Sequence, residues 1–95
     1  MKDNLEISDP NIISIFYHEK KSEILKLLIK EELTLKEIKD KMDINPGTIR
    51  RHLDDLLAAG LVELTRTEIN RYSMLMKFYR STAKSFQIKV EYKWP

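Results

Sequence analysis

A chain of 95 residues, 42% hydrophobic and 34% charged, has enough apolar material for one modest folded domain and too much for a disordered segment. The absence of cysteine excludes disulfides, thiolate nucleophiles and cysteine metal sites, and no apolar run approaches the roughly eighteen residues of a membrane span. A formal charge of +2 is a weak pointer to nucleic acid by itself, but the charge is unevenly placed: residues 1–33 carry five basic and seven acidic groups, residues 34–60 five and five, and residues 61–95 seven and three.

Residues 1–9 lack the apolar core of a signal peptide and read as a loose arm, consistent with a cytoplasmic protein. Asp9-Pro10 has the form of a cap followed by a first helical residue, and the apolar run IISIFY then predicts a short helix over about residues 10–17, with a buried strand as the alternative. A firmer helix follows near Glu19 to Glu31, its Ile24, Leu25, Leu27 and Leu28 covering more than one narrow stripe, as suits the central helix of a small bundle.

Thr34 to Gly60 predicts two short helices joined by a tight corner. Thr34 and Glu37 have capping-box spacing, and Leu35, Ile38 and Met42 follow at helical intervals. Asn45 is a good cap, and Pro46 suits the first helical position because its missing N–H would be unpaired there. Ile49, Leu53, Leu56 and Leu57 form an apolar stripe, and Gly60 can take the left-handed conformation that ends a helix. Two short helices around so brief a turn predict a helix-turn-helix.

Beyond Gly60 the periodicity changes. LVELTRT is β-prone, EINRYS suits a turn, and MLMKFYR supplies a return strand, together a β-hairpin in which Arg66 and Arg71 are placed to grip a phosphate backbone. FQIKVEYKW then alternates strictly, with Phe86, Ile88, Val90, Tyr92 and Trp94 on one side. An apolar terminal strand needs cover, and a second copy of the chain is an economical source, so residues 81–95 are read as a dimerisation extension; docking on the chain's own domain is the other possibility.

These blocks resemble the ArsR-type winged helix-turn-helix regulators, most closely the small archaeal members. The likeness lies in EILKLLIKEELTLKEIKDKMDINPGTIRRHLDDLLAAGLVE and in TRTEINRYSMLMKFYRSTAKSF, about three quarters of the chain; the tail matches a "KYYR-TAK-F" phrase that commonly follows the wing in those members. The core pattern is common to several winged-helix families, and the tail is the more specific. The resemblance implies an α+β fold in one domain over residues 1–95, with three or four N-terminal helices, a β-hairpin wing and a C-terminal extension. It implies a homodimer that binds operator-like double-stranded DNA and is not an enzyme. The recognition helix would fall on residues 46–59 and the wing on 65–73.

The DNA-contact candidates are then Gly47, Thr48, Arg50, Arg51 and His52 on the helix, with Arg66 and Arg71 on the wing. Gly47 and Thr48 allow close approach at the helix N-terminus, and one of Arg50 and Arg51 is expected on guanine with the other on phosphate. His52 could instead sit at the shoulder of the packing surface. The dimer-interface candidates are Phe86, Ile88, Val90, Tyr92 and Trp94. With no cysteine and two unclustered histidines, no metal site and no cofactor is expected, and the resemblance names no inducer. A winged-helix module for protein assembly, without specific DNA recognition, is the alternative, kept open by the neutral charge of residues 34–60.

Overall fold

In a computed structural model, which describes residues 1–91 and 93, the chain is an α+β winged helix-turn-helix. The order is β1 (Leu5–Ile7), α1 (Pro10–Phe16), α2 (Glu19–Lys30), β2 (Leu33–Thr34), α3 (Leu35–Met42), α4 (Pro46–Ala58), β3 (Val62–Ile69), β4 (Leu75–Ser81) and β5 (Phe86–Ile88). Ile24, Leu28, Leu33, Ile38, Ile49, Leu53, Leu56 and Leu61 are fully buried, so one core joins α2, α3, α4 and the base of the hairpin.

Local chemistry explains most boundaries. The Asp9 carboxylate accepts the Asn11 N–H, and Pro10 starts α1. Nδ1 of His18 accepts the Lys21 N–H at the start of α2. Thr34 and Glu37 form the reciprocal capping box of α3: the Glu37 N–H donates to Oγ1 of Thr34 at 3.2 Å, and the Thr34 N–H donates to Oε1 of Glu37 at 2.9 Å. Helix α3 stops at Asp43, which takes a left-handed conformation with φ of 52°. Helix α4 begins with Asn45 as cap and Pro46 at its first position. It ends in a Schellman turn: Gly60 has φ of 74°, its N–H donates to Leu57 O, and the Leu61 N–H donates to Leu56 O. Leu56 and Leu61 are both fully buried, so the turn that ends the helix also seats the first residue leading into the hairpin.

The three-stranded sheet has the order β2-β4-β3 and is antiparallel throughout. A register shift between Leu64 and Arg66 leaves Thr65 as the extra residue, and its hydroxyl donates to Phe78 O at 3.2 Å. The hairpin base is tied to the end of α4 by the Thr82 hydroxyl, which donates to Gly60 O, and by the Thr82 N–H, which donates to Leu61 O.

The two termini depart from the sequence-based expectation. The loose arm of residues 1–9 contains β1, which pairs in parallel with β5 in the same chain, and Lys2 bridges to Ala83. The strand expected over residues 86–94 is correspondingly short. Its partner ends where Asp9 begins to cap α1, so the ladder closes with the Lys89 N–H donating to Ile7 O at 2.8 Å. Phe86 and Ile88 are half-buried against the chain's own core, Phe86 meeting Phe16 at a ring-centroid distance of 5.6 Å. Val90 is exposed, while Tyr92 and Trp94 lie outside the described residues.

Candidate nucleic-acid interface

Helix α4 buries Ile49, Leu53 and Leu56, each worth roughly 1.5–3 kcal/mol when withdrawn from water. At about 100° per residue, Arg51 lies about 200° round the helix from Ile49, nearly opposite the core, whereas Arg50 lies to one side. Gly47 stands one turn before Arg51 on the same outward line, and Ala58 stands further along it. The result is an exposed face in which a long cation has small residues before and beyond it, with Asp54 and Asp55 three and four positions on. Thr48 is half-buried beside it.

The acidic residues on α4 are drawn aside. Arg50 Nε lies 3.7 Å from Asp54 Oδ1, a solvent-exposed pair of modest strength. Asp55 is held by Lys21 of α2 at 2.9 Å, and that hydrogen bond is the main cause of its lowered pKa. Among the described residues, no carboxylate forms an ion pair with Arg51. At the helix start, Asn45 Oδ1 accepts the Gly47 N–H at 2.7 Å; a Cβ on Gly47 would stand 3.0 Å from that oxygen, so glycine gives the cap its room.

His52 faces the other way. Its ring meets His18 edge-on at 4.9 Å between centroids, and its Nδ1 is buried without a hydrogen-bond partner. Burial lowers its pKa first of all, followed by His18 and Lys21, with Asp55 opposing them. His52 is therefore a seam residue between α2 and α4, its Nδ1 closed to a phosphate.

On the wing, the register shift turns Arg66 toward the body of the protein. Its Nε donates to Glu32 at 2.7 Å, a second nitrogen pairs with Glu68, and the guanidinium lies 3.8 Å from the centre of the Phe78 ring. This use differs from the expected phosphate contact, and the partner that captures Arg66 lies 34 positions away in sequence, beyond any local pattern. Arg71 is instead exposed at the hairpin turn, with its guanidinium 5.0 Å from the Tyr72 ring centre. Among the described residues, no group of His, Cys, Asp and Glu is arranged to hold a metal ion, and no helix is long and apolar enough to cross a membrane.

Comparison with known proteins follows the same outline. Residues 18–63, from the N-cap of α2 into β3, match the family model described as bacterial regulatory protein, arsR family. No curated protein matches the sequence. Among solved structures, the fold is similar to the transcriptional repressor BigR from Xylella fastidiosa, with a TM-score of 0.63 and 24% identity, over 76% of this chain and 65% of that one. Reduced HlyU from Vibrio cholerae gives a TM-score of 0.64 at 21% identity, over 76% and 70% of the two chains. The homodimeric winged helix-turn-helix DNA-binding domain of Mb0332 from Mycobacterium bovis gives 0.62 at 23% identity, over 77% and 62%. The chain thus spans just under two thirds of the BigR and Mb0332 chains. With the family model lying on the helix-turn-helix and the fold continuing into the wing, the chain is similar to the ArsR family over residues 18–63 and shares the winged helix-turn-helix fold of these structures.

Proposed function

We propose that the protein is a sequence-specific, double-stranded-DNA-binding transcriptional regulator that acts as a homodimer in the cytoplasm. The observation that carries this reading is the outward ridge of α4, where Arg51 stands opposite the buried stripe with Gly47 one turn before it and no acid paired to it. Such a helix presents few side chains to base edges in a major groove, and these sit near its N-terminal half. Arg51 is the base-reading cation. Arg50, to the side and weakly tied to Asp54, takes phosphate, as does the Thr48 hydroxyl. The wing contact belongs to Arg71, since Arg66 is occupied in holding the wing to the body of the domain.

The similar Mb0332 domain is homodimeric and the similar BigR is a transcriptional repressor, which supports this reading. Two copies would place their α4 helices on successive major-groove faces roughly 34–36 Å apart, and the preferred site would have approximate two-fold symmetry. Selection of duplexes from a random library by the purified protein, followed by binding titrations at several salt concentrations, tests the proposal. A selected, nearly palindromic site with a steep salt dependence is expected. Binding that is absent, or equal on all sequences, would favour a protein-assembly role.

A further inference from the structure

The hairpin ends in an unusual surface. Ile69, Tyr72, Met74 and Leu75 are 72%, 68%, 63% and 59% exposed, although all are large and apolar. Ile69 and Leu75 are register partners, so their side chains stand together on one face. The turn between them is built rather than loose. Oδ1 of Asn70 accepts the N–H groups of Tyr72 and Met74 at 2.9 and 3.0 Å, the Asn70 N–H donates to Met74 O, and the Ser73 N–H donates to Asn70 O. Residues 69–77 include Arg71 and Lys77 and no acid, and the neighbouring Glu68 is paired with Arg66. A firm apolar point bordered by cations fits an anionic partner with an apolar interior.

We infer that this tip is a wedge that enters the minor groove beside the major groove occupied by α4, with its apolar side chains prising open a base step and Arg71 on a flanking phosphate. The inference rests on the DNA-binding reading above and adds deformation of the duplex to it. Reach supports it: eight residues of β3 span roughly 26 Å, while half a turn of duplex, the step from one groove to the next, is about 17 Å. Aliphatic and methionine side chains can unstack a base step where they enter a minor groove, bending the duplex away from them. Phosphate grip alone calls for cations and hydrogen-bond donors, and leaves four exposed apolar side chains without a use.

The test uses a 40-bp duplex selected by the wild-type protein and labelled with a fluorophore pair at its ends. Binding of wild type should shorten the end-to-end distance by the amount of a bend of roughly 20–90°. Ile69→Thr with Leu75→Thr keeps β-forming residues in both strands, and Met74→Ser changes only the turn. Both variants should lose the bend and about tenfold in affinity, with the slope of affinity against salt unchanged. Arg71→Ala should keep the bend and reduce that slope by about one. A duplex with one mismatched step at the bend centre should bind wild type several-fold more tightly and leave the tip variants unaffected.

Wild-type bend and affinity in both tip variants would overturn the wedge and leave DNA recognition intact. So would tip variants that keep their DNA binding while losing adhesion to phosphatidylserine vesicles or association between copies of the chain. Wild type that binds no duplex in a salt-dependent manner would remove both the regulator reading and the wedge.

Discussion

Arg50 and Arg51 are adjacent in sequence yet face different surroundings, and the difference gives each its own expected phenotype. Arg51→Ala should cost roughly 1–3 kcal/mol of discrimination against the wrong base at one position of the selected site, with little change on random duplex. Arg50→Ala should weaken both to a similar extent and flatten the salt slope by about one. Titrations of both variants on both duplexes separate the roles, and interchanged phenotypes would reverse the assignment. The sequence marks the pair only as candidate DNA contacts, and which member faces outward depends on which stripe is buried. Arg66 was legible only as a cation near a turn: a one-residue shift in β3 aims it at Glu32 and Phe78, and alternation alone does not reveal such a shift.

His52 carries a pH dependence of its own. Its folded-state pKa lies below the usual value of 6.5, because burial and the nearby His18, Lys21 and Arg51 disfavour the imidazolium more than Asp55 favours it. The unfolded chain therefore binds a proton more readily than the folded one. The stability that neutral His52 contributes is fully present above about pH 6.5 and is lost as pH falls from there through the lowered folded value. Denaturant melts of wild type and His52→Gln at pH 7.5 and 5.5 should show the smaller loss on acidification in the variant. Equal losses would show that the His18–His52 seam does not sense protons.

At the scale of elements, the helices were readable because their ends are set by residues a few positions apart. The Thr34–Glu37 box, Asn45-Pro46 and Gly60 are each local devices, and each stands in the structure where the pattern predicts it. Thr34→Ala should destabilise the domain by about 1 kcal/mol, since it removes the acceptor for the Glu37 N–H in a half-buried cap. Gly60→Ala should cost a similar amount for another reason. A methyl group there meets nothing within 4 Å, but φ of 74° is strained for any residue with a Cβ. Chemical denaturation of the two single variants and the double variant should give nearly additive losses, the two sites being separate. The β1–β5 pairing escaped the sequence reading for the opposite reason: three residues at one end meet three at the other, and neither segment carries its partner's address.

For the whole molecule, that pairing changes what the terminal strand can do. Phe86 and Ile88 are engaged with β1 and the core, so the proposed homodimer would have to build its interface from what remains exposed nearby. Tyr17 and Val90 are 79% and 57% exposed, and they border an open groove of about 740 Å³ between α1 and the chain after β5. A symmetric contact across this face would cover both residues, and it would leave the β1–β5 ladder within each protomer. Phe86→Ala should lower stability by about 2 kcal/mol, less than the roughly 3–5 kcal/mol of a fully buried phenylalanine because its ring is only half-buried. Tyr17→Asp with Val90→Asp should leave the protomer's unfolding transition nearly unchanged at low concentration while shifting the dimer to monomer in sedimentation. A monomer that can dock only one α4 at a time should then lose its preference for a two-fold site over an isolated half-site, because the second contact ceases to be intramolecular. If instead Phe86→Ala alone dissociates the dimer at unchanged protomer stability, the terminal strand serves the partner, and the cis ladder gives way when two copies meet.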